Sequence, residues 1–179
     1  MSTATRLAEL RRHIRDVPDF PERGIVFKDI TPLLQSPQAL ASALEALAER
    51  VEPPEVVVAI ESRGFVFGTG LALHWQVPFV PARKFGKLPG RTLREAYALE
   101  YGKDSLEIHA DAIAPGARAV VVDDLLATGG TAHAAARLAE RLGARVDALL
   151  FLIELKGLGG REKLEPRRVE ALLEYEVSL

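Results

Sequence analysis

The run Val120-Val121-Val122-Asp123-Asp124-Leu125-Leu126-Ala127-Thr128-Gly129-Gly130-Thr131 concentrates the chemistry of this 179-residue chain. Its apolar start predicts a buried strand, and its glycines predict the turn that opens a helix. A helix N-terminus carries unpaired N–H groups and the positive end of a dipole, so it takes phosphate readily. Gly129 and Gly130 let backbone approach a ligand closely, and Thr128 and Thr131 add hydroxyl donors. Carboxylates repel phosphate, so Asp123 and Asp124 address another part of the same ligand. An ionised carboxylate only accepts hydrogen bonds, and a ribose diol offers two donors. The run therefore predicts a site for a ribose 5-phosphate group, with phosphate on residues 127–131 and the diol on the aspartates. It is not a P-loop, because no Gly-Lys-Ser/Thr follows the glycines. The Gly-x-Gly-x-x-Gly spacing of a dinucleotide site is also absent.

Two further constellations belong beside it. Glu61-Ser62-Arg63-Gly64-Phe65 follows an apolar run, which places Arg63 at the end of a buried strand. A guanidinium there can neutralise an anionic group of the ligand through its planar fork of donors. Residues 83–102 carry Gly86, Pro89, Gly90 and many charges without firm periodicity. A loop of that length in a compact domain is usually functional. The four histidines, His13, His74, His109 and His133, lack metal-ligand grouping, and there is no cysteine for a disulfide or a thiolate metal site.

The elements that must hold these residues follow from the pattern. Leu7, Leu10 and Ile14 repeat at helical spacing, with Pro18 as the exit from that helix. Residues 19–30 are turn-rich. Ser36 caps a second helix with Pro37 at its first position, and Leu40, Leu44, Leu47 and Val51 form its buried stripe. Strands are expected at 55–60, 77–82 and 106–109, in the signature run, and at 146–153. Helices are expected through 68–75 and after Gly130, the latter ended by Gly143. Alternating strands and helices predict an α/β fold with a mostly parallel central sheet flanked by helices. Ligands of such a sheet lie at the carboxyl ends of its strands.

The signature run resembles the phosphoribosyl pyrophosphate (PRPP) motif of the type I phosphoribosyltransferases. Three other segments resemble the adenine-specific members of that family. They are Pro18-Asp19-Phe20-Pro21 through Ile30-Thr31-Pro32-Leu33-Leu34, Arg83-Lys84-Phe85-Gly86-Lys87-Leu88-Pro89-Gly90, and Leu99-Glu100-Tyr101-Gly102 with Leu106-Glu107-Ile108-His109. The resemblance covers nearly the whole chain in the family's order. It implies one domain over 1–179, with a base-binding hood at about 1–34 and a flexible lid at about 83–102. It implies transfer of the 5-phosphoribosyl group from PRPP to adenine, giving AMP and pyrophosphate. Mg²⁺ is expected, bound mainly through PRPP or pyrophosphate with few direct protein ligands, and the family is usually homodimeric.

The resemblance also assigns roles. Asp123, Asp124, Ala127, Thr128, Gly129, Gly130 and Thr131 bind PRPP, together with Arg63, Arg83, Lys84, Lys87 and Tyr101, and Arg83 reaches a neighbouring site. Arg63 and Glu100 serve catalysis, Glu100 by exchanging the adenine ring proton. Val26 and Lys28 read adenine through backbone groups beside an apolar wall at Phe27. The family's loop at 61–65 often contains a cis non-proline peptide, expected here between Glu61 and Ser62. Many members have arginine where this chain has Lys28. Two alternatives share the PRPP motif: a hypoxanthine/guanine-type phosphoribosyltransferase, and a PRPP-binding transcription regulator.

Composition limits the rest. With 48% hydrophobic and 27% charged residues, the chain reads as a soluble globular protein. A net charge of −2 gives no electrostatic case for nucleic acid or membrane surfaces. No apolar stretch is long enough to span a bilayer, and the N-terminus lacks a signal-peptide core, so a cytoplasmic location is expected. The absence of asparagine and the excess of arginine over lysine fit a thermophilic source or a GC-rich genome equally.

Overall fold

The computed structural model describes residues 3–98 and 103–177. The chain forms two compact units, Met1–Ala46 and Leu47–Leu179.

The N-terminal unit opens with α1 (Thr3–Arg12), followed by strands β1 (Arg15–Pro18) and β2 (Val26–Asp29). The expected helix therefore stops before Pro18, and residues 15–18 pair antiparallel with 26–29. Cross-strand side chains select that ribbon. Arg15 Nε donates to Asp29 Oδ2 at 3.0 Å, and Lys28 Nζ lies 2.7 Å from Asp16 Oδ1. The intervening turn is tied by Gly24 N–H to Asp19 Oδ1 at 2.7 Å. Phe20 meets Phe27 edge to face at 5.2 Å, a favoured aromatic geometry. Asp29 Oδ1 then accepts from Thr31 N–H at 2.9 Å at the start of α2 (Thr31–Leu34). The next helix, α3 (Pro37–Ala48), begins as expected, with Ser36 Oγ accepting from Ala39 N–H at 3.2 Å. Its buried face is shifted from the expected leucines: Ala39, Ala43, Ala46 and Leu47 are buried, with Leu40 and Leu44 at its margin.

The second unit contains β3 (Val56–Ile60), α4 (Gly64–Trp75), β4 (Phe79–Lys84), β5 (Thr92–Ala98) and β6 (Lys103–His109). These are followed by β7 (Arg118–Leu126), α5 (Gly130–Arg141), β8 (Arg145–Lys156), α6 (Gly160–Leu164) and β9 (Val169–Glu176). The seven strands form one sheet in the order β5-β6-β4-β3-β7-β8-β9. The pairs β4/β3, β3/β7, β7/β8 and β8/β9 are parallel, whereas β6 runs antiparallel to β4 and β5. The mostly parallel α/β sheet expected from the sequence is thus present.

Both faces of its centre are covered, which explains the unbroken apolar runs of β3 and β7. Val56, Val58 and Ile60 pack in one cluster with Ala135, Leu138 and Ala139 of α5. On the other face α4 lies so close that a Cβ on Gly68 would stand 2.3 Å from Ala59 Cβ. Two strands of this sheet were absent from the sequence reading, as were β1 and β2 of the ribbon. Residues 92–98, read as loop, pair with 103–109 as a hairpin whose Leu93 and Tyr97 pack on the core. Val169–Glu176 adds the terminal parallel strand, burying Val169, Leu172 and Leu173.

Candidate functional site

The sheet itself creates a crevice. From β3 the chain crosses through α4 to β4 on one side, while β7 pairs on the other. Loops leaving the carboxyl ends of β3 and β7 therefore diverge to opposite faces and leave room between them, the usual ligand position in an open α/β sheet. A cleft of about 490 Å³ lies there. Glu61, Ser62 and Arg63 after β3, Lys84 at the end of β4, Asp123 and Asp124 near the end of β7 and Thr131 at the start of α5 line it, with Tyr97 and Asp104 from the hairpin.

The aspartate pair is anchored to Arg63. The Arg63 Nε donates to Asp124 Oδ2 at 2.6 Å, and Asp124 is buried while Arg63 is half exposed. The Asp124 N–H donates to Asp123 Oδ1 at 2.8 Å. Removal from water pushes the Asp123 carboxyl well above the usual carboxylate range, and the neighbouring Asp124 charge adds to the rise. Gly64 makes room for this arrangement, since a Cβ there would stand 2.8 Å from Asp123 Oδ1. The Glu61–Ser62 peptide just before it is cis, as the loop resemblance led us to expect.

The phosphate-type loop forms as predicted. Gly129 has φ +77° and precedes the first turn of α5, where His133 N–H donates to Gly129 C=O at 2.9 Å. Residues 125–132 surround a small hollow of about 100 Å³. The loop is backed by α6. A Cβ on Gly160 would lie 2.0 Å from the Ala127 carbonyl oxygen, and one on Gly129 would lie 2.7 Å from the Gly160 carbonyl oxygen. Gly160 is in turn carried by Arg161, which bonds the buried Glu154 carboxylate and the Val169 carbonyl.

The cations after β4 are organised by two carboxylates. Glu61 accepts from Arg83 Nη2 at 2.8 Å and Nε at 3.2 Å, and from Lys84 N–H at 3.1 Å. The Arg83 bond chiefly holds the Glu61 carboxyl below its ordinary range. Arg83 also donates to the Lys87 carbonyl at 3.1 Å. The buried Glu107 accepts from Lys87 N–H at 3.0 Å, Leu88 N–H at 2.9 Å and the Thr92 hydroxyl at 3.1 Å. Burial pushes this carboxyl up, but the donors outweigh it and leave it low. The Lys84 Nζ lies 3.3 Å from Asp104 Oδ2. Tyr97 Oη donates to the same oxygen at 3.2 Å and also hydrogen-bonds the Thr131 side chain.

Arg63, Lys84, Asp123, Asp124 and Thr131 thus line one cleft, beside the loop at 127–130. Arg83 and Lys87 do not line this cleft: Arg83 is turned onto Glu61, and Lys87 sits on the exposed turn held by Glu107. Val26, Phe27 and Lys28 lie on β2 of the N-terminal unit. Glu100 and Tyr101 lie outside the described residues. Sequence reasoning assigned no part to Glu61, Tyr97, Asp104, Glu107 or Gly160. Only Gly160 carried a local signal, in Gly157-Leu158-Gly159-Gly160.

Carboxylate oxygens are the donor type Mg²⁺ takes, and the cleft supplies them. Among the described residues, however, no group of three His, Asp or Glu converges to hold a metal. No described helix is long and apolar enough to cross a membrane.

Comparison with known proteins gives the same direction. Residues 29–166 match the phosphoribosyl transferase domain family. The chain is 55% identical over 169 residues to the adenine phosphoribosyltransferase of Carboxydothermus hydrogenoformans, covering 93% of this chain and 99% of that protein. The crystal structure of adenine phosphoribosyltransferase from Thermoanaerobacter pseudethanolicus superposes with a TM-score of 0.91 at 51% identity, over 94% of this chain and 99% of that one. The Saccharomyces cerevisiae enzyme, solved with an imino-altritol bisphosphate and adenine, gives 0.90 at 41% identity, over 95% and 99% of the two chains.

Proposed function

The chain belongs to the adenine phosphoribosyltransferases of the phosphoribosyl transferase family, and on that premise we propose how its residues perform the reaction. Adenine and PRPP give AMP and pyrophosphate, a purine-salvage step. The observation that carries the assignment of roles is the convergence of Arg63, Lys84, Asp123 and Asp124 on one cleft beside the phosphate-type loop.

The 5-phosphate sits on residues 127–131, held by backbone N–H groups at the start of α5 and by threonine hydroxyls. Asp123 and Asp124 accept from the ribose diol, and Arg63 fixes Asp124 so that its free oxygen faces the sugar. Charge develops in two places as the ribose carbon separates from pyrophosphate: positive on the sugar, negative on the leaving group. The aspartates lie on the first side, and Arg63 and Lys84 on the second, which is electrostatic stabilisation of both developing charges. Mg²⁺ bound to the pyrophosphate would supply further neutralisation. Lys87 and Arg83 hold the turn over the leaving group, Arg83 through Glu61 within its own chain. In a homodimer Arg83 would instead reach the neighbouring site.

Adenine is read by β2. In an antiparallel ribbon, alternate residues direct their backbone groups to the same side, so Val26 and Lys28 share a side and Phe27 does not. A carbonyl and an N–H from that side match the amino group and ring nitrogen of adenine and mismatch a 6-oxo purine, which would leave buried groups unpaired. Glu100 exchanges the ring proton and Tyr101 covers the ligand, excluding water from it. The enzyme works in the cytoplasm.

Pyrophosphate release from PRPP and Mg²⁺ on addition of adenine, hypoxanthine or guanine tests the reading, with Glu100→Ala alongside. Release that depends on adenine and collapses in the variant is expected. Release that survives the substitution removes Glu100 as proton carrier, and turnover of hypoxanthine or guanine in place of adenine overturns the base assignment.

A further inference from the structure

Three cations at the ends of β3 and β4 each stand against a carboxylate, but the pairs differ in kind. Arg63–Asp124 and Arg83–Glu61 are guanidinium–carboxylate contacts at 2.6 and 2.8 Å. Lys84–Asp104 is looser at 3.3 Å, and the lysine is 61% exposed against 27% for the aspartate. Asp104 is oriented without Lys84: its Oδ1 accepts from Ser105 N–H at 2.7 Å and its Oδ2 from Tyr97 Oη at 3.2 Å. Tyr97 is joined in turn to Thr131 of the phosphate-type loop. One partner is therefore a flexible ammonium and the other a carboxylate fixed in the cleft wall.

We propose that Asp104 is a resident competitor for Lys84, a positioning residue that limits how tightly the cleft holds pyrophosphate and so hastens its departure. This rests on the reading that Lys84 binds pyrophosphate. An exposed ammonium–carboxylate pair is weak, so a pyrophosphate with several charges draws Lys84 away from Asp104. The carboxylate stays where Ser105 and Tyr97 hold it, and its charge opposes the incoming anion. Both effects reduce affinity, and both act in reverse when pyrophosphate leaves, since Lys84 has a partner waiting. A residue that only supported the fold would not weaken anion binding by being present.

Asp104→Asn is suited to the test. The amide retains an oxygen for the Ser105 N–H and removes the charge, and Asp104→Ser provides a second neutral variant. Magnesium pyrophosphate is titrated calorimetrically into the wild type, both Asp104 variants, Lys84→Met and the Asp104→Asn/Lys84→Met double variant. Asp104→Asn is expected to bind pyrophosphate about three- to tenfold more tightly, with a lower KM for PRPP. The gain should shrink at high salt and be smaller when Lys84 is methionine, where only the direct repulsion between the Asp104 carboxylate and the anion is left to remove. Equal or weaker binding by both Asp104 variants, with Lys84→Met still impaired, overturns the competitor role and leaves the role of Lys84 intact. No loss on Lys84→Met overturns the reading of Lys84, and the proposal with it.

Discussion

Gly160 and Ala127 meet across two loops so closely that no side chain fits between them: a Cβ on Gly160 would stand 2.0 Å from the Ala127 carbonyl oxygen. Gly160 itself does not have a positive φ, so alanine is barred there by collision, not by backbone conformation. Gly160→Ala must push the phosphate-type loop away from α6. A loss of about 1–3 kcal/mol of stability is expected from overpacking, together with an increase of more than about tenfold in KM for PRPP. Gly116 has φ +83° and open space where its Cβ would be. Gly116→Ala should therefore lower stability by about 1 kcal/mol through conformation alone and leave KM unchanged. Equal KM values for Gly160→Ala and wild type would remove α6 as the support of the loop.

The raised carboxyl of Asp123 makes opposite predictions for stability and binding. A folded-state pKa above the unfolded value means that the folded protein holds the extra proton. Stability is then lost as pH rises above the usual carboxylate range. Asp123→Asn should be more stable than wild type at neutral pH, with the difference closing as the pH falls toward that range. Binding runs the other way, because only the ionised form accepts both diol hydrogens. Isothermal titration of PRPP from acid to neutral pH should show wild-type affinity gaining on that of the variant, with a final deficit in Asp123→Asn of about tenfold or more.

Arg83 and Glu61 form a second lever. Arg83→Ala leaves Glu61, with a side chain only 19% exposed, without its guanidinium and adjacent to the cleft. The unmatched negative charge should raise KM for PRPP several-fold and weaken pyrophosphate inhibition. Arg83→Ala/Glu61→Gln should recover part of that loss, because the coupled pair is removed together. Steady-state kinetics on the two single variants and the double variant measures the coupling.

Acid should act on the N-terminal unit through Asp29. Hydrogen bonds from the Thr31 side chain and backbone, with Arg15, hold its carboxyl down at about 2. A lowered folded-state pKa gives stability that is present above the unfolded pKa and lost as pH falls through the folded one. Asp29→Asn should therefore lower stability at neutral pH by about 1–2 kcal/mol. The two proteins should converge near pH 2, as followed by circular dichroism during chemical unfolding. A constant difference down to that pH would place the loss elsewhere.

The parts of the site visible in the sequence were those whose residue types state their purpose locally. Asp123-Asp124 followed by Thr128-Gly129-Gly130-Thr131 contains acceptor, donor and turn within one strand–helix junction, and Ser36-Pro37 announces a helix start in two residues. The missed parts draw their meaning from distant partners. Glu107 looks like one charge among many until the hairpin brings its carboxylate under Lys87, Leu88 and Thr92. Asp104 acquires Lys84 only through the β4–β6 pairing. Strand β9 escaped because Val169-Glu170-Ala171-Leu172-Leu173-Glu174-Tyr175-Glu176 alternates imperfectly, and its order comes from its parallel register with β8. The ribbon β1–β2 was masked by proline and glycine, although its opposite charges pair across the strands.

On the proposed roles, the division after Ala46 gives base choice a short address in the chain. Val26, Phe27 and Lys28 precede it, while Arg63, Lys84, Asp123, Asp124 and the phosphate-type loop all follow. Substitutions confined to Met1–Ala46 would then retune which nucleobase is accepted and leave the proposed sugar-phosphate residues unchanged. The two halves of the specificity are free to evolve at different tempos.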